Sequence, residues 1–567
     1  MSRLSVLLVA AGFAVPVRSA PSLSEELSFE IANDRDGFVY RVGETATFDV
    51  RISHLDGSRV EQGKVVAALD NFGPRQVASA VWDLAKTNAF SLTGSLDEPG
   101  FLRLTLAVGS ETQRVWSVAF DPTRIRKGSP RPADFDAYWE EARAKLDREV
   151  PEGVRLERVP ELGTQSFDYF RLSCATFGRR VFGYMSVPTD RTAAPYPVQI
   201  EVSAAGFGDW TNTMSGSADR IMVFFSVYPW APHWDWRKLG LKAAYDYMER
   251  AHVAEYGPGA RYSTSGIAKG REDYFYYPVI LGIDRAVDWV LRRSDVDRSR
   301  VWYLGTSQGG GFGLILAGLR NRFTKAAFCV PAITDTLGCL RGRQSGWPYL
   351  LEKQLPQNRA ETERWAPYFD AANFAARIAC PVRVVVGFSD VTCAPCAVYA
   401  AYNEIRADDR LIAHGFGMGH SCYKRYYDAA ETWFTEKQVA WTEASVSCDA
   451  AFERLLDRTL AEKTQAVALR VKPQADILKL IDVIFEKKAY DWVGFKDEDY
   501  VRLCRAKRRA FTIPVFWIRP KGFDVSDTIA KGTSHGFECV VIDRTDAGPT
   551  TLARLKSAGL EVRIREE

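Results

Sequence analysis

The residues Leu304-Gly305-Thr306-Ser307-Gln308-Gly309-Gly310 carry the pattern Gly-x-Ser-x-Gly between an apolar strand, RVWYLG, and a small-residue helix opening near Gly311. A serine on a sharp strand-to-helix turn projects its hydroxyl from the carboxyl edge of a sheet. Residues without bulk on either side let neighbouring chains approach that strained backbone. The helix N-terminus beneath it favours the negative charge that develops in acyl transfer. Alone, the pattern arises by chance in roughly one chain in six of this length. Its place after an apolar strand and before a helix makes it informative. The chemistry it predicts is attack by the Ser307 hydroxyl on an acyl carbon.

A hydroxyl needs a base to take its proton, and an imidazole base needs a carboxylate on its other nitrogen. With an elbow of this kind, acid and then base follow the serine along the chain. Three histidines do so: His414, His420 and His535. His535 lies in a distant segment and His414 closes the strand RLIAH. His420 sits in the loop Gly415-Phe-Gly-Met-Gly-His420, at a strand's carboxyl end, where a ring can swing over the serine. Nine carboxylates separate Ser307 from His420, and Asp390 is the one that directly follows an apolar strand run, PVRVVVGFSD. Asp408 and Asp409 precede the next strand and so fall at the opposite edge. Ser307, Asp390 and His420 are therefore the candidate nucleophile, acid and base. The backbone N–H of Gln308 is the first candidate oxyanion donor. The second is Phe207, in the turn after VQIEVSA. This chemistry calls for no cofactor and no metal.

The elements needed to position these groups read as follows. From Ala133 to about Lys437, strands and helices alternate: ADFDAYWEEARAKLDREV, YPVQIEVSA, YPVILGIDRAVDWVLRR, RVWYLG, KAAFCVP and PVRVVVGFS. Such alternation predicts a mostly parallel sheet covered by helices, an α/β fold of the α/β-hydrolase kind over residues 133–437. Residues 27–122 show short alternating segments (LSFEIA, ATFDVRIS, KVVAALD, FLRLTLAV, RVWSVAF) with turns between them, which predicts an immunoglobulin-like β-sandwich. With one histidine and no cysteine there, its expected role is structural: a spacer, an oligomer contact or a sugar-binding module. Residues 450–567 alternate again around AVALRV, DWVGF, IPVFWI, CVVID and EVRI, predicting a smaller α/β module, about half of a TIM-type barrel.

Composition bounds the rest. The 567 residues carry Lys+Arg 74 against Asp+Glu 71, a net +3 that sets up no field for nucleic acid. No internal run reaches the ~18 apolar residues of a membrane span. MSRLSVLLVAAGFAVPVRSA reads as a signal peptide over residues 1–19, predicting a secreted or periplasmic protein. Export lets disulfides persist, but the ten scattered cysteines do not reveal a pairing; Cys393 with Cys422 is one candidate. Cys393-Ala-Pro-Cys396 has metal or redox spacing without a second such pair, which argues against a metal site.

Over residues 133–437 the chain resembles the acetyl xylan esterases and cephalosporin-C deacetylases of carbohydrate esterase family seven. The resemblance lies in PADFDAYW, YSTSGIAKGREDYFYYPVILGIDRAVDWV, GTSQGGGFGLILAGL, GFSDVTCAPCAVYAAYNEI and GMGHSCY. It implies Ser307, Asp390 and His420 as the triad, with Phe207 and Gln308 as oxyanion donors. Phe207 stands where the family usually has tyrosine, and Thr264-Ser265-Gly266-Ile267 where it often has Thr-Arg-Gly-Ile. It also implies deacetylation of acetylated xylan or xylo-oligosaccharides through an acetyl-enzyme, and a homo-oligomer, since members form hexameric rings. Trp210, Trp230, Trp234 and Trp236 are candidates for a sugar-stacking wall. The C-terminal module bears a fainter likeness to glycerophosphodiester phosphodiesterase barrels, but Arg470 stands where a metal-binding carboxylate would, so no such activity is expected. On residues alone, two alternatives stay open: a hydrolase of other esters or peptides, and a surface-binding protein with an inactive hydrolase domain.

Overall fold

The computed structural model describes residues 27–35, 38–54, 57–108, 111–206, 216–231, 241–422, 424–435, 440–447, 449–462 and 465–472. It also describes shorter stretches at 479–480, 483–484, 493–496, 516–526, 528–529, 539–557 and 560–565. Residues 1–19, proposed as a signal peptide, lie outside them, as do Phe207, Trp210, Trp234, Trp236 and His535.

Eight strands open the chain: β1 (Leu27–Asn33), β2 (Val39–Tyr40), β3 (Ala46–His54), β4 (Lys64–Asp70), β5 (Gln76–Asp83), β6 (Ala89–Gly94), β7 (Gly100–Val108) and β8 (Glu111–Phe120). They form a three-stranded sheet, β1-β3-β6, and a five-stranded sheet, β2-β8-β7-β4-β5. Alternation decides which side each residue takes: Phe48, Val50 and Ile52 of β3 are buried while Asp49 and Arg51 face solvent. β5 and β6 did not stand out in the sequence because QVASAVWD and AFSLTG mix small and polar residues on both faces.

The central sheet has nine strands: β9 (Val154–Arg158), β10 (Phe167–Thr176), β11 (Arg179–Pro188), β12 (Tyr196–Val202), β13 (Ile221–Phe225), β14 (Val296–Thr306), β15 (Lys325–Cys329), β16 (Val382–Gly387) and β17 (Arg410–Gly415). Their order is β17-β16-β15-β14-β12-β13-β11-β10-β9. The six strands from β17 to β13 run parallel, and β11, β10 and β9 add antiparallel to one edge. Parallel strands are covered on both faces, and β14 shows how the sequence meets that demand. Val301 and Tyr303 join the core that holds the Gln308–Leu319 helix, while Trp302 and Leu304 pack against Ala430 and Phe434 of the Lys424–Thr435 helix. The Gln308–Leu319 helix, QGGGFGLILAGL, is buried along its whole length. Its glycines forgo helix propensity, about 1 kcal/mol each against alanine, to let neighbouring backbone in.

Beyond the central sheet, β18 (Ala440–Val446), β19 (Gln465–Val471), β20 (Val493–Lys496), β21 (Phe516–Ile518), β22 (Cys539–Asp543) and β23 (Glu561–Arg565) form a parallel sheet whose spatial order is the chain order. It starts earlier than the sequence suggests: β18 lies before the first strand read there, AVALRV, because AWTEASV puts Thr442 and Glu443 side by side and so breaks the period-two alternation of a strand. No helix among the described residues is long and apolar enough to cross a membrane.

Candidate active site

Ser307 ends β14 and caps the Gln308–Leu319 helix with φ 55° and ψ −120°. A non-glycine residue avoids that region because its Cβ crowds the backbone, so the surroundings must hold it there. They do so through hydrogen bonds: the Ser307 N–H donates to the Cys329 carbonyl (2.9 Å), and its carbonyl accepts from Ala332 (2.8 Å) and Gly311 (3.0 Å). The turn also needs glycine beside it. A Cβ on Gly309 would lie 2.1 Å from the Val202 carbonyl oxygen, and one on Gly305 2.5 Å from that of Gly309.

The structure brings Ser307, His420 and Asp390 together. Ser307 Oγ lies 2.9 Å from His420 Nε2, and His420 Nδ1 lies 2.9 Å from Asp390 Oδ2. Asp390 follows β16, the strand two places from β14 in the sheet, and its carboxylate is fully buried. Its other oxygen, Oδ1, accepts from the backbone N–H groups of Thr392 and Cys393, both at 2.8 Å. Those two donors leave Oδ2 free for the imidazole, which puts the ring proton on Nδ1 and a lone pair on Nε2, facing the hydroxyl. Ser307 is 7% exposed and the His420 side chain 29%, so the pair can be reached from the open side of the ring.

The acid and base loops are fastened to each other. Phe388 N–H donates to the Gly415 carbonyl (3.0 Å) and Ser389 N–H to that of Met418 (2.9 Å). The base loop is also pinned by a disulfide, Cys329–Cys422, two residues beyond His420. This corrects the suggested Cys393–Cys422 pair: Cys329 closes β15, beside the elbow, and its Cα is 6.0 Å from that of Cys422. Cys393 remains a free, buried thiol beside the triad, sharing with Asp390 and His420 a cluster of atoms within 4.8 Å. Burial, reinforced by the Asp390 carboxylate, pushes its thiol well up, which keeps it protonated and weakly nucleophilic.

Gln308 does more than present its backbone N–H, which as a first-turn helix amide has no intrahelical acceptor. Its side-chain Oε1 accepts from the Tyr276 (2.6 Å) and Tyr262 (3.0 Å) hydroxyls, and its Nε2 donates to the carbonyls of Ala204 (3.0 Å) and Ser203 (3.3 Å). The Gly206 N–H donates to the Tyr228 hydroxyl (2.8 Å), which in turn meets that of Tyr262 (3.2 Å). The loop leading to Phe207 is thus tied to the elbow through tyrosines that no local motif marked. Of the four tryptophans proposed as a sugar wall, the described one, Trp230, packs among Tyr228, Phe275 and His252. His414 stays out of the chemistry, as its strand position suggested: it is buried, with Nε2 2.6 Å from the Tyr399 hydroxyl.

A parallel sheet flanked by helices, with a strained serine at its carboxyl edge and an imidazole and carboxylate aligned behind it, defines an α/β-hydrolase. The comparisons with known proteins narrow the class. A family model described as acetyl xylan esterase (AXE1) matches residues 123–437, more than half of the chain. The acetyl esterase Axe7A of Xylanibacter ruminicola is 30% identical over 439 residues, which is 75% of this chain and 92% of that protein. The chain belongs to the acetyl xylan esterase family and is a carboxylic ester hydrolase. Among solved structures, the acetyl xylan esterase from Paenibacillus sp. R4 covers 56% of this chain and 98% of its own at 21% identity, with a TM-score of 0.44. Acetyl xylan esterase 1 from Thermoanaerobacterium sp. JW/SL YS485 covers 56% and 97% at 22% identity, with a TM-score of 0.46.

Proposed function

We propose that this chain is an exported serine esterase that removes acetyl groups from acetylated xylan or xylo-oligosaccharides. The observation that carries the reading is the unbroken line from Ser307 Oγ through His420 to Asp390, with both contacts at 2.9 Å. His420 Nε2 takes the Ser307 proton as the oxygen attacks the acetyl carbon, and Asp390 stabilises the imidazolium. The N–H of Gln308, with a second donor from the loop at Phe207, stabilises the oxyanion. The imidazolium returns its proton to the sugar oxygen, which leaves as an alcohol. Water, deprotonated by the same ring, then hydrolyses the acetyl-enzyme to acetate.

Export rests on the charged, apolar and small-residue layout of residues 1–19, with the mature protein secreted or periplasmic. The two sheets of residues 27–120 support an immunoglobulin-like arrangement. The sequential parallel order of β18 to β23 supports a half-barrel module with a structural or docking role. The experiment for the reaction is acetate release from acetylated xylo-oligosaccharides, set against long-chain ester and peptide substrates. Release from the sugars at rates well above the other two supports the proposal. Preference for long-chain esters or peptides overturns the substrate assignment.

A further inference from the structure

The base loop Gly415-Phe416-Gly417-Met418-Gly419-His420 holds three glycines in five residues, so ordering it costs much backbone entropy and little in it supplies rigidity. The disulfide holds it on the β15 side. On the other side it meets the N-terminal sheets. A Cβ on Gly417, whose φ is +66°, would sit 2.4 Å from the Trp116 ring, so indole and backbone are in direct contact. Trp116 is itself fixed, with its Nε1–H donating to Asn33 Oδ1 at 3.0 Å across to the other sheet. The Phe38 and Phe416 rings meet at a tilt of 43°, with centroids 4.7 Å apart.

The acid loop is held by the same wall. Phe101 of β7 meets Phe388 edge to face at 5.0 Å, and the Ser117 hydroxyl donates to the Phe388 carbonyl, two residues before Asp390. Phe388 and Phe416 also meet each other at 5.0 Å. One aromatic layer therefore spans both loops and the N-terminal sheets, within a single continuous core.

We propose that Trp116 is a positioning residue for the reaction, and that the N-terminal sheets form the wall which keeps His420 and Asp390 aligned on Ser307, not a spacer or a sugar-binding module. The inference rests on the triad reading above. A displacement of about 1 Å at a reacting group costs on the order of a hundredfold in rate, so loosening this wall acts on turnover before it acts on binding.

The test compares Trp116→Ala and Trp116→Phe with the parent chain on two substrates, p-nitrophenyl acetate and an acetylated xylo-oligosaccharide, with circular dichroism to verify folding. The expected result for Trp116→Ala is a fall in kcat of about ten- to a hundredfold on both substrates, with KM changed less than about threefold. Trp116→Phe, which restores an aromatic face against Gly417, recovers most of the loss. If Trp116→Ala is recovered unfolded, Trp116→Phe and Phe38→Leu carry the comparison, with a smaller kcat loss on both substrates expected. Unchanged p-nitrophenyl acetate turnover in folded Trp116→Ala, or in both Trp116→Phe and Phe38→Leu where Trp116→Ala does not fold, overturns the proposal, whether or not the oligosaccharide KM rises. Ser307→Ala in parallel separates the two claims: if it abolishes turnover while the folded Trp116→Ala and Phe38→Leu variants keep the parent kcat, the triad stands and the wall falls; if Ser307→Ala itself keeps turnover, the triad reading has failed.

Discussion

Replacing Asp390 with asparagine keeps the shape of the side chain and removes its symmetry. The buried carboxylate receives two backbone N–H groups on Oδ1, from Thr392 and Cys393, and the imidazole on Oδ2. An amide satisfies those two donors only by turning its oxygen towards them, which points its NH2 at His420 Nδ1. The imidazole then accepts at Nδ1 and carries its proton on Nε2, the nitrogen that faces Ser307 Oγ, and it can no longer take the serine proton. The opposite flip leaves two buried N–H groups without acceptors, at about 1–3 kcal/mol each. That biases the side chain towards the inactive orientation by roughly 2–6 kcal/mol, or a factor of about thirty to about twenty thousand. With the imidazolium's counter-charge also lost, kcat should fall by about three to four orders of magnitude, with KM little changed. Steady-state kinetics on p-nitrophenyl acetate and acetate release from oligosaccharide measure both, and near-ultraviolet circular dichroism verifies that the fold is intact. A folded Asp390→Asn variant that retains more than a tenth of the parent kcat would refute the reasoning.

Two further outcomes follow from groups around the site. Burial pushes the His414 imidazole down to about 4 from its ordinary 6.5, so the unfolded chain binds an extra proton between those values. His414 therefore contributes stability that is complete above pH about 6.5 and lost as pH falls towards about 4, on the order of 3 kcal/mol in all. His414→Gln, which keeps an acceptor for Tyr399, should flatten the acid side of the denaturant-midpoint profile; an unchanged profile counts against the burial argument. The Cys329–Cys422 bridge closes a loop across a sequence separation of 93. The paired replacements Cys329→Ser and Cys422→Ser should lower stability by about 2–4 kcal/mol and reduce kcat more than they change KM. An unchanged unfolding midpoint and kcat would show that the loop is held without it.

That Ser307, Asp390 and His420 would meet could be read from the chain because each obeys a local rule. Ser307 sits where an apolar strand meets a glycine-rich helix, Asp390 where a second apolar strand ends, and His420 in a loop just past a third. All three strands are parallel, so their carboxyl ends share an edge, and that is enough to predict a meeting. What secures the site was not legible, because it depends on partners distant in sequence. Cys329 and Cys422 meet only once β15 lies beside the base loop, and Cys393, nearer to Asp390 in sequence, pointed to the wrong pair. Tyr262 and Tyr276 read as ordinary members of an aromatic-rich stretch until the fold put both hydroxyls on Gln308. In β13 the apolar run IMVFF matches any core segment, and only its pairing between β12 and β11 gives it a place. Trp116 and Gly417 are 301 positions apart, and nothing local to either announces the other.

If Ser307 is the nucleophile, it forms a covalent bond to the acyl group. The most direct test is labelling of the purified protein with a fluorophosphonate, followed by peptide mass spectrometry and acetate-release kinetics on the same samples. One adduct per chain is expected, on the peptide containing Ser307, with acetate release lost in step with labelling and no adduct in Ser307→Ala. Full labelling elsewhere, or undiminished acetate release from a chain whose Ser307 is blocked, would contradict it.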